Sequence, residues 1–148
     1  MTNKEFNTLL GLPKTFSKSP INLPIAGRTG VYNVESTLSS DRFFLDVDRS
    51  SKIELSKFKI QHRYAATKLP LVRIDINSPP HMNPDGCKLS RNHIHIYQET
   101  ENDTGNLPWA YDLESIDLFA GISNDFMAIF YAFCEYCNIS TDNIQGVL

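Results

Sequence analysis

Four side chains able to ligate a transition metal fall within one short run of this chain: His81, Cys87, His93 and His95, spaced H-x5-C-x5-H-x-H. The whole sequence has 4 histidines, and only His62 lies outside that run. An extended strand turns residues i and i+2 to the same face, so His93 and His95 stand side by side, with Tyr97 next in the row. Paired imidazoles on one face suit either a metal or proton transfer. Imidazole and thiolate together favour zinc, and the Pro/Gly-rich loop from Pro80 to Cys87 is flexible enough to bring His81 and Cys87 onto the pair and close a tetrahedron. The expected cofactor is thus a structural Zn2+ held by His81, Cys87, His93 and His95. The plainer reading makes His-x-His a polar sheet face and Cys87 a loop thiol.

Strands must position these residues. Alternation and turn residues predict them over roughly 29–37, 42–48, 52–64, 70–77 and 92–98, with Asp48-Arg49-Ser50-Ser51 as a hairpin turn. In 70–77, Val72, Ile74 and Ile76 share one face and Leu71, Arg73 and Asp75 the other. In 92–98, Ile94 and Ile96 oppose His93, His95 and Tyr97. Pairing these strands with their aliphatic faces aligned brings Arg73 and Asp75 onto the histidine face. That face then offers Asp75 as a carboxylate beside a metal or, alternatively, Arg73, Asp75, His93 and His95 as a general acid/base site for a phosphodiester.

Helices are expected at both ends. Thr2-Asn3-Lys4-Glu5 has the form of a capping box, followed by Phe6, Leu9 and Leu10 at helical spacing and ended by Gly11 and Pro13. Near the C-terminus Phe119, Ile122, Phe126, Ile129, Phe130, Phe133 and Cys137 form a helical stripe that predicts a long helix, with Ser123-Asn124-Asp125 able to cap a second start. The expected fold is a single α+β domain over 1–148: an antiparallel meander of about five strands, a short N-terminal helix and a long C-terminal one. Cys134 and Cys137, one helical turn apart, are alternative metal ligands, although their apolar neighbours suit buried thiols better.

Composition narrows the class. No signal peptide or membrane-length apolar run is visible, and 3 cysteines fit a reducing compartment, so the expected location is cytoplasmic. Phosphate-binding loops, serine-hydrolase elbows and H-E-x-x-H are absent from the sequence. Charge is unevenly spread. From Arg49 to Arg73 seven basic residues meet one acid, Glu54, whereas from Glu99 onward there are nine acids and no Lys, Arg or His. Such an acidic end can dock on a basic nucleic-acid-binding protein, with Asp103, Asp112, Glu114, Asp117 and Asp125 as the expected contacts.

Arg73-Ile74-Asp75, Pro80-His81 and His93-Ile94-His95 resemble the centre of TumE-like toxins of bacterial toxin–antitoxin pairs and of small proteins from Gram-positive bacteria and their phages, over about 25 of the 148 residues. That resemblance implies that Arg73, Asp75, His81, His93 and His95 grip or cut RNA. In overall style, a short chain with a strongly acidic half and a candidate structural zinc is similar to phage-encoded inhibitors of bacterial defence, including anti-CRISPR proteins. This second resemblance implies a zinc-stabilised binding protein in the host cytoplasm that blocks a nucleic-acid-handling effector such as the type II CRISPR nuclease. The alternative is an RNA-cleaving toxin.

Overall fold

The computed structural model describes residues 1–100 and 105–147. Thr2 caps the first helix, its side chain accepting from Glu5 N, and α1 runs Asn3–Gly11. The strands are β1 (Lys14–Phe16), β2 (Ile21–Leu23), β3 (Thr29–Ser36), β4 (Arg42–Asp48), β5 (Phe58–Tyr64), β6 (Pro70–Ile76), β7 (His81–Met82), β8 (Lys88–Leu89), β9 (His93–Ile96), β10 (Ala110–Asp112) and β11 (Ile144–Val147). A 3-10 turn at Leu113–Ser115 and the helix α2 (Phe126–Tyr136) precede β11. Seven strands form one sheet in the order β1-β3-β4-β5-β6-β9-β10, and every pairing in it is antiparallel. β2 pairs in parallel with β11, and β7 with β8 forms a small hairpin inserted between β6 and β9.

Two expectations need correcting. The chain is mostly strand, and its last helix is 11 residues rather than long. Phe119 and Ile122 continue the apolar stripe but lie in a turn and the loop after it. Gly121 takes φ +74°, which ends regular helix, and the Asp125 side chain then accepts from Ala128 N to start a fresh one. Asn138 at φ 58° closes α2 in the left-handed conformation, with Ile139 N donating to Cys134 O. Five expected strands become seven in the main sheet because short segments at its rim, β1 and β10, pair too. In addition, residues 52–57 leave the strand expected over 52–64, since Glu54 and Ser56 bond elsewhere, to Arg91 and Asn77.

One sheet face is apolar and covered. Phe43, Leu45 and Val47 of β4, Phe58 and Ile60 of β5, Val72, Ile74 and Ile76 of β6 and Ile94 of β9 are buried with Ile129, Phe130 and Phe133 of α2. Phe58 meets Phe126 edge-on at 5.1 Å. Removing a ring such as Phe130 from this layer would cost about 3–5 kcal/mol. On the opposite face β5 and β6 present Lys59, Gln61, Arg63, Arg73 and Asp75, and it is there that β9 sets its histidines.

Candidate metal centre

Register places the site. β6 and β9 pair so that Arg73 lies opposite His95 and Asp75 opposite His93, which is the face-sharing that alternation predicts. His93, His95 and Asp75 are all buried, at 1%, 2% and 4% exposure. Burial of this kind disfavours charge unless partners compensate.

The tautomers follow from the backbone. His93 Nδ1 donates to Ser90 O and His95 Nδ1 to Leu107 O, each at 2.7 Å, since a carbonyl can only accept. In its neutral form each ring therefore turns the lone pair of Nε2, not a hydrogen, toward the carboxylate. Both Nε2 atoms lie 3.4 Å from Asp75 Oδ2. The opposing elements, two lone pairs and an anionic oxygen, converge on one point and call for a cation. Arg73 partly answers that demand: its Nε donates to Asp75 Oδ1 at 2.8 Å, and Nη2 lies 3.2 Å from both Asp75 Oδ2 and His95 Nε2.

Electrostatics are consistent with this geometry. Burial alone would raise the Asp75 carboxyl; the hydrogen bonds and charge of Arg73, with imidazoles beside it that donate to the carboxylate when they are protonated, hold it well below the ordinary carboxylate range. Burial lowers His95, and the bond that its protonated ring would make to Asp75 only partly opposes that. The ligand atoms of Asp75, His93 and His95 all lie within 4.8 Å of one another, so this buried group could hold a metal ion. Imidazoles fixed through Nδ1–H to carbonyls are the arrangement metal-ligating histidines use.

The other expected ligands sit differently. His81 is at the edge of the cluster, its ring 4.7 Å from His95 and 5.8 Å from His93, with Nε2 donating to Pro108 O at 2.8 Å. Cys87 is exposed on the β7–β8 hairpin and outside the cluster. The reason is local: Asn83 N donates to Cys87 O, and Cys87 N donates to Asp85 Oδ1, so the tight Asn83-Pro84-Asp85-Gly86 turn leaves the thiol facing solvent. Cys134 in α2 and Cys137 at its C-cap are buried in the core, where burial pushes Cys137 up to about 12, and neither belongs to the histidine cluster. Tyr97 leaves the histidine row. It packs on Phe6 at 5.6 Å and donates its hydroxyl to Met1 O, because β9 ends at Ile96.

Sequence reasoning misses Asn83. Its side chain is buried and pairs with both backbone groups of Ala110, Nδ2 donating to the carbonyl and Oδ1 accepting from the amide, each at 2.9 Å. By imitating a neighbouring strand, it clamps the hairpin carrying His81 to β10. The turn motif marks position 83 as polar but not its reach.

The chain matches a family of unknown function, DUF6978, over residues 1–139. It belongs to that family. No curated protein and no solved structure matches it. Among the described residues, no helix is long and apolar enough to cross a membrane.

Of the expected docking acids, Asp103 lies outside the described residues, and Asp112, Glu114, Asp117 and Asp125 are exposed. Several already have local work: Asp125 caps α2, Glu114 accepts from Gly121 N, and Asp112 accepts from Ser90 Oγ. On the basic strands, Arg63 forms a two-bond pair with Asp46, and Arg49 donates to Pro24 O while covering the Phe126 ring at 4.1 Å.

Proposed function

We propose that Asp75, His93 and His95 bind a structural zinc ion in a protein that acts by binding rather than by catalysis. The observation that carries this reading is convergence under burial. A tetrahedral zinc with bonds of about 2.05 Å holds its ligands about 3.3 Å apart, and each Nε2 stands 3.4 Å from Asp75 Oδ2. Water or His81 would take the fourth position, with the Arg73 guanidinium retreating to Asp75 Oδ1. Such an ion would tie β6 to β9 and, through Ser90 and Leu107, to the segments on either side, adding its binding free energy to folding.

The partner reading rests on charge. Asp112, Glu114, Asp117 and Asp125 remain exposed at one end of a chain whose last third lacks basic residues, which favours a basic, nucleic-acid-handling protein, such as a CRISPR effector blocked by an anti-defence inhibitor. One observation favours the runner-up, an RNA-cleaving toxin: the residues of the TumE-like pattern, Arg73, Asp75, His81, His93 and His95, cluster in space. Against it, the acid/base candidates are buried, and the nearby arginines are already paired with carboxylates. Incubating purified chain with structured and unstructured RNA, with and without chelator, tests the choice. Intact RNA and a chelator-lowered melting temperature are expected; cleavage lost in a folded His95→Ala variant would establish the toxin instead.

A further inference from the structure

The loop joining β4 to β5 is anchored through its polar members to neighbouring segments: Arg91 Nη2 donates to Glu54 at 2.9 Å, and Asn77 Nδ2 donates to Ser56 Oγ at 3.0 Å. Alternating with them, the aliphatic side chains face out, Ile53 at 101% exposure and Leu55 at 58%. Lys52 and Lys57 flank the pair. Single exposed aliphatics are ordinary, but two held outward by anchored neighbours form a built projection.

A complement to that projection lies beside it. Arg91, which holds Glu54, sits between Ser90 and Asn92, and these two line a cavity of about 270 Å³. Leu113, Phe119 and Ile122 contribute its apolar walls, and Asp112 and Glu114 its carboxylates. An aliphatic knob flanked by lysines thus neighbours an aliphatic hole flanked by acids, at one end of the molecule.

We propose that two copies of this chain associate about a twofold axis, the Ile53 of each entering the cavity of the other while Lys52 and Lys57 meet Asp112 and Glu114. A twofold interface requires one patch to carry both complementary surfaces, and their adjacency here meets that condition. Ile53 is fully exposed and cannot fill the cavity of its own chain, and the lysines beside it complement the Asp112 and Glu114 carboxylates at the cavity, so the occupant is a second copy. Two knobs and two holes fall short of the roughly 2,000 Å² and more of obligate dimers, so association is reversible and concentration-dependent. The same carboxylates serve a basic partner in the function proposed above, which makes that partner a competitor of the dimer; a test on the chain alone separates the two ideas.

Sedimentation velocity of the purified full chain over a wide concentration range provides that test. Mass is expected to rise to twice that of the monomer and stop there, and added salt should weaken the association. Ile53→Asp should weaken it by at least about tenfold with an unchanged circular dichroism spectrum, as the side chain is fully exposed. Neither Lys52→Glu/Lys57→Glu nor Asp112→Lys/Glu114→Lys should dimerise alone, yet the two mixed should, because each loop then faces a rim of opposite charge. A wild-type chain that stays monomeric, a mass that climbs past the dimer, or wild-type association in Ile53→Asp overturns the proposal.

Discussion

Two buried polar clusters occupy opposite faces of the seven-stranded sheet, and they are built on different principles. On the outer face Asp75, His93 and His95 aim lone pairs and a carboxylate at one point. On the core face Lys14, at 2% exposure, donates to Leu10 O and Cys137 O, both at 2.8 Å. It thereby caps the C-terminal ends of both helices with one ammonium, where the backbone dipoles favour positive charge. His62 stacks on Phe43 at 5.1 Å nearby, fully buried, and no carboxylate appears among the hydrogen-bonding partners of either residue. Lys14 lies 4.9 Å above the same Phe43 ring. The first cluster gathers acceptors on one point, which Arg73 meets only in part; the second brings its own cation to scattered carbonyls. Convergence of acceptors, rather than burial of polar atoms, marks the candidate metal site.

Breaking the outer cluster should have the larger effect. Asp75→Ala leaves Arg73 without its carboxylate and removes the anionic ligand, so the loss is expected near 3–5 kcal/mol in urea denaturation. A loss under about 1 kcal/mol would show that the cluster is not a compensated unit.

The inner cluster should respond to pH instead. Burial lowers His62 from 6.5 to about 3, so between those values the unfolded chain binds a proton that the folded chain refuses. Stability then rises with pH across that window and is lost as pH falls, by up to roughly 1.4 kcal/mol per unit. Replacing the ring by His62→Leu should flatten this acid limb while leaving any metal content unchanged. Thermal melts of both proteins from about pH 3 to 6.5 would show it, and parallel acid limbs would remove His62 as the cause.

Lys14→Met is expected to do less at neutral pH. Two carbonyls lose their donor, but the cost of burying an ammonium disappears with it, leaving about 1 kcal/mol. Burial lowers Lys14 from 10.5 to about 8, and the unfolded chain keeps its proton through that range. Wild-type stability should therefore gain a rising contribution from about pH 8 to 10.5 that the methionine variant lacks. Smallest of all, Cys87→Ser should shift stability by under about 0.5 kcal/mol and leave metal content intact, because the thiol is exposed and outside the cluster. A Cys87→Ser protein that had lost its metal would restore the thiolate as a ligand.

The outer cluster was largely readable in the chain itself and the inner one was not. Period-two alternation in 70–77 and 92–98 puts Arg73, Asp75, His93 and His95 on one face, and the observed register bears this out. The N-terminal capping box likewise gives α1. Alternation cannot show where a strand stops, so Tyr97 went to the core. Nor can it show how a tight turn aims a side chain, so Cys87 turned outward. The long helix failed for a related reason: the apolar stripe persists through Phe119 and Ile122, but the backbone at Gly121 and the cap at Asp125 break the hydrogen-bond ladder. Lys14 and His62 gave no local signal, since their partners come from segments distant in sequence.

Elemental analysis of the protein purified without added metal, alongside folded Asp75→Asn and His93→Ala variants, addresses the metal centre most directly. The account predicts about one zinc per chain in the wild type, little or none in either variant, and a melting temperature that falls when chelator strips the wild-type ion. A wild-type chain without metal that fails to take up zinc, and whose melting temperature is the same with and without chelator, would contradict it and leave Arg73 as the only cation the cluster needs.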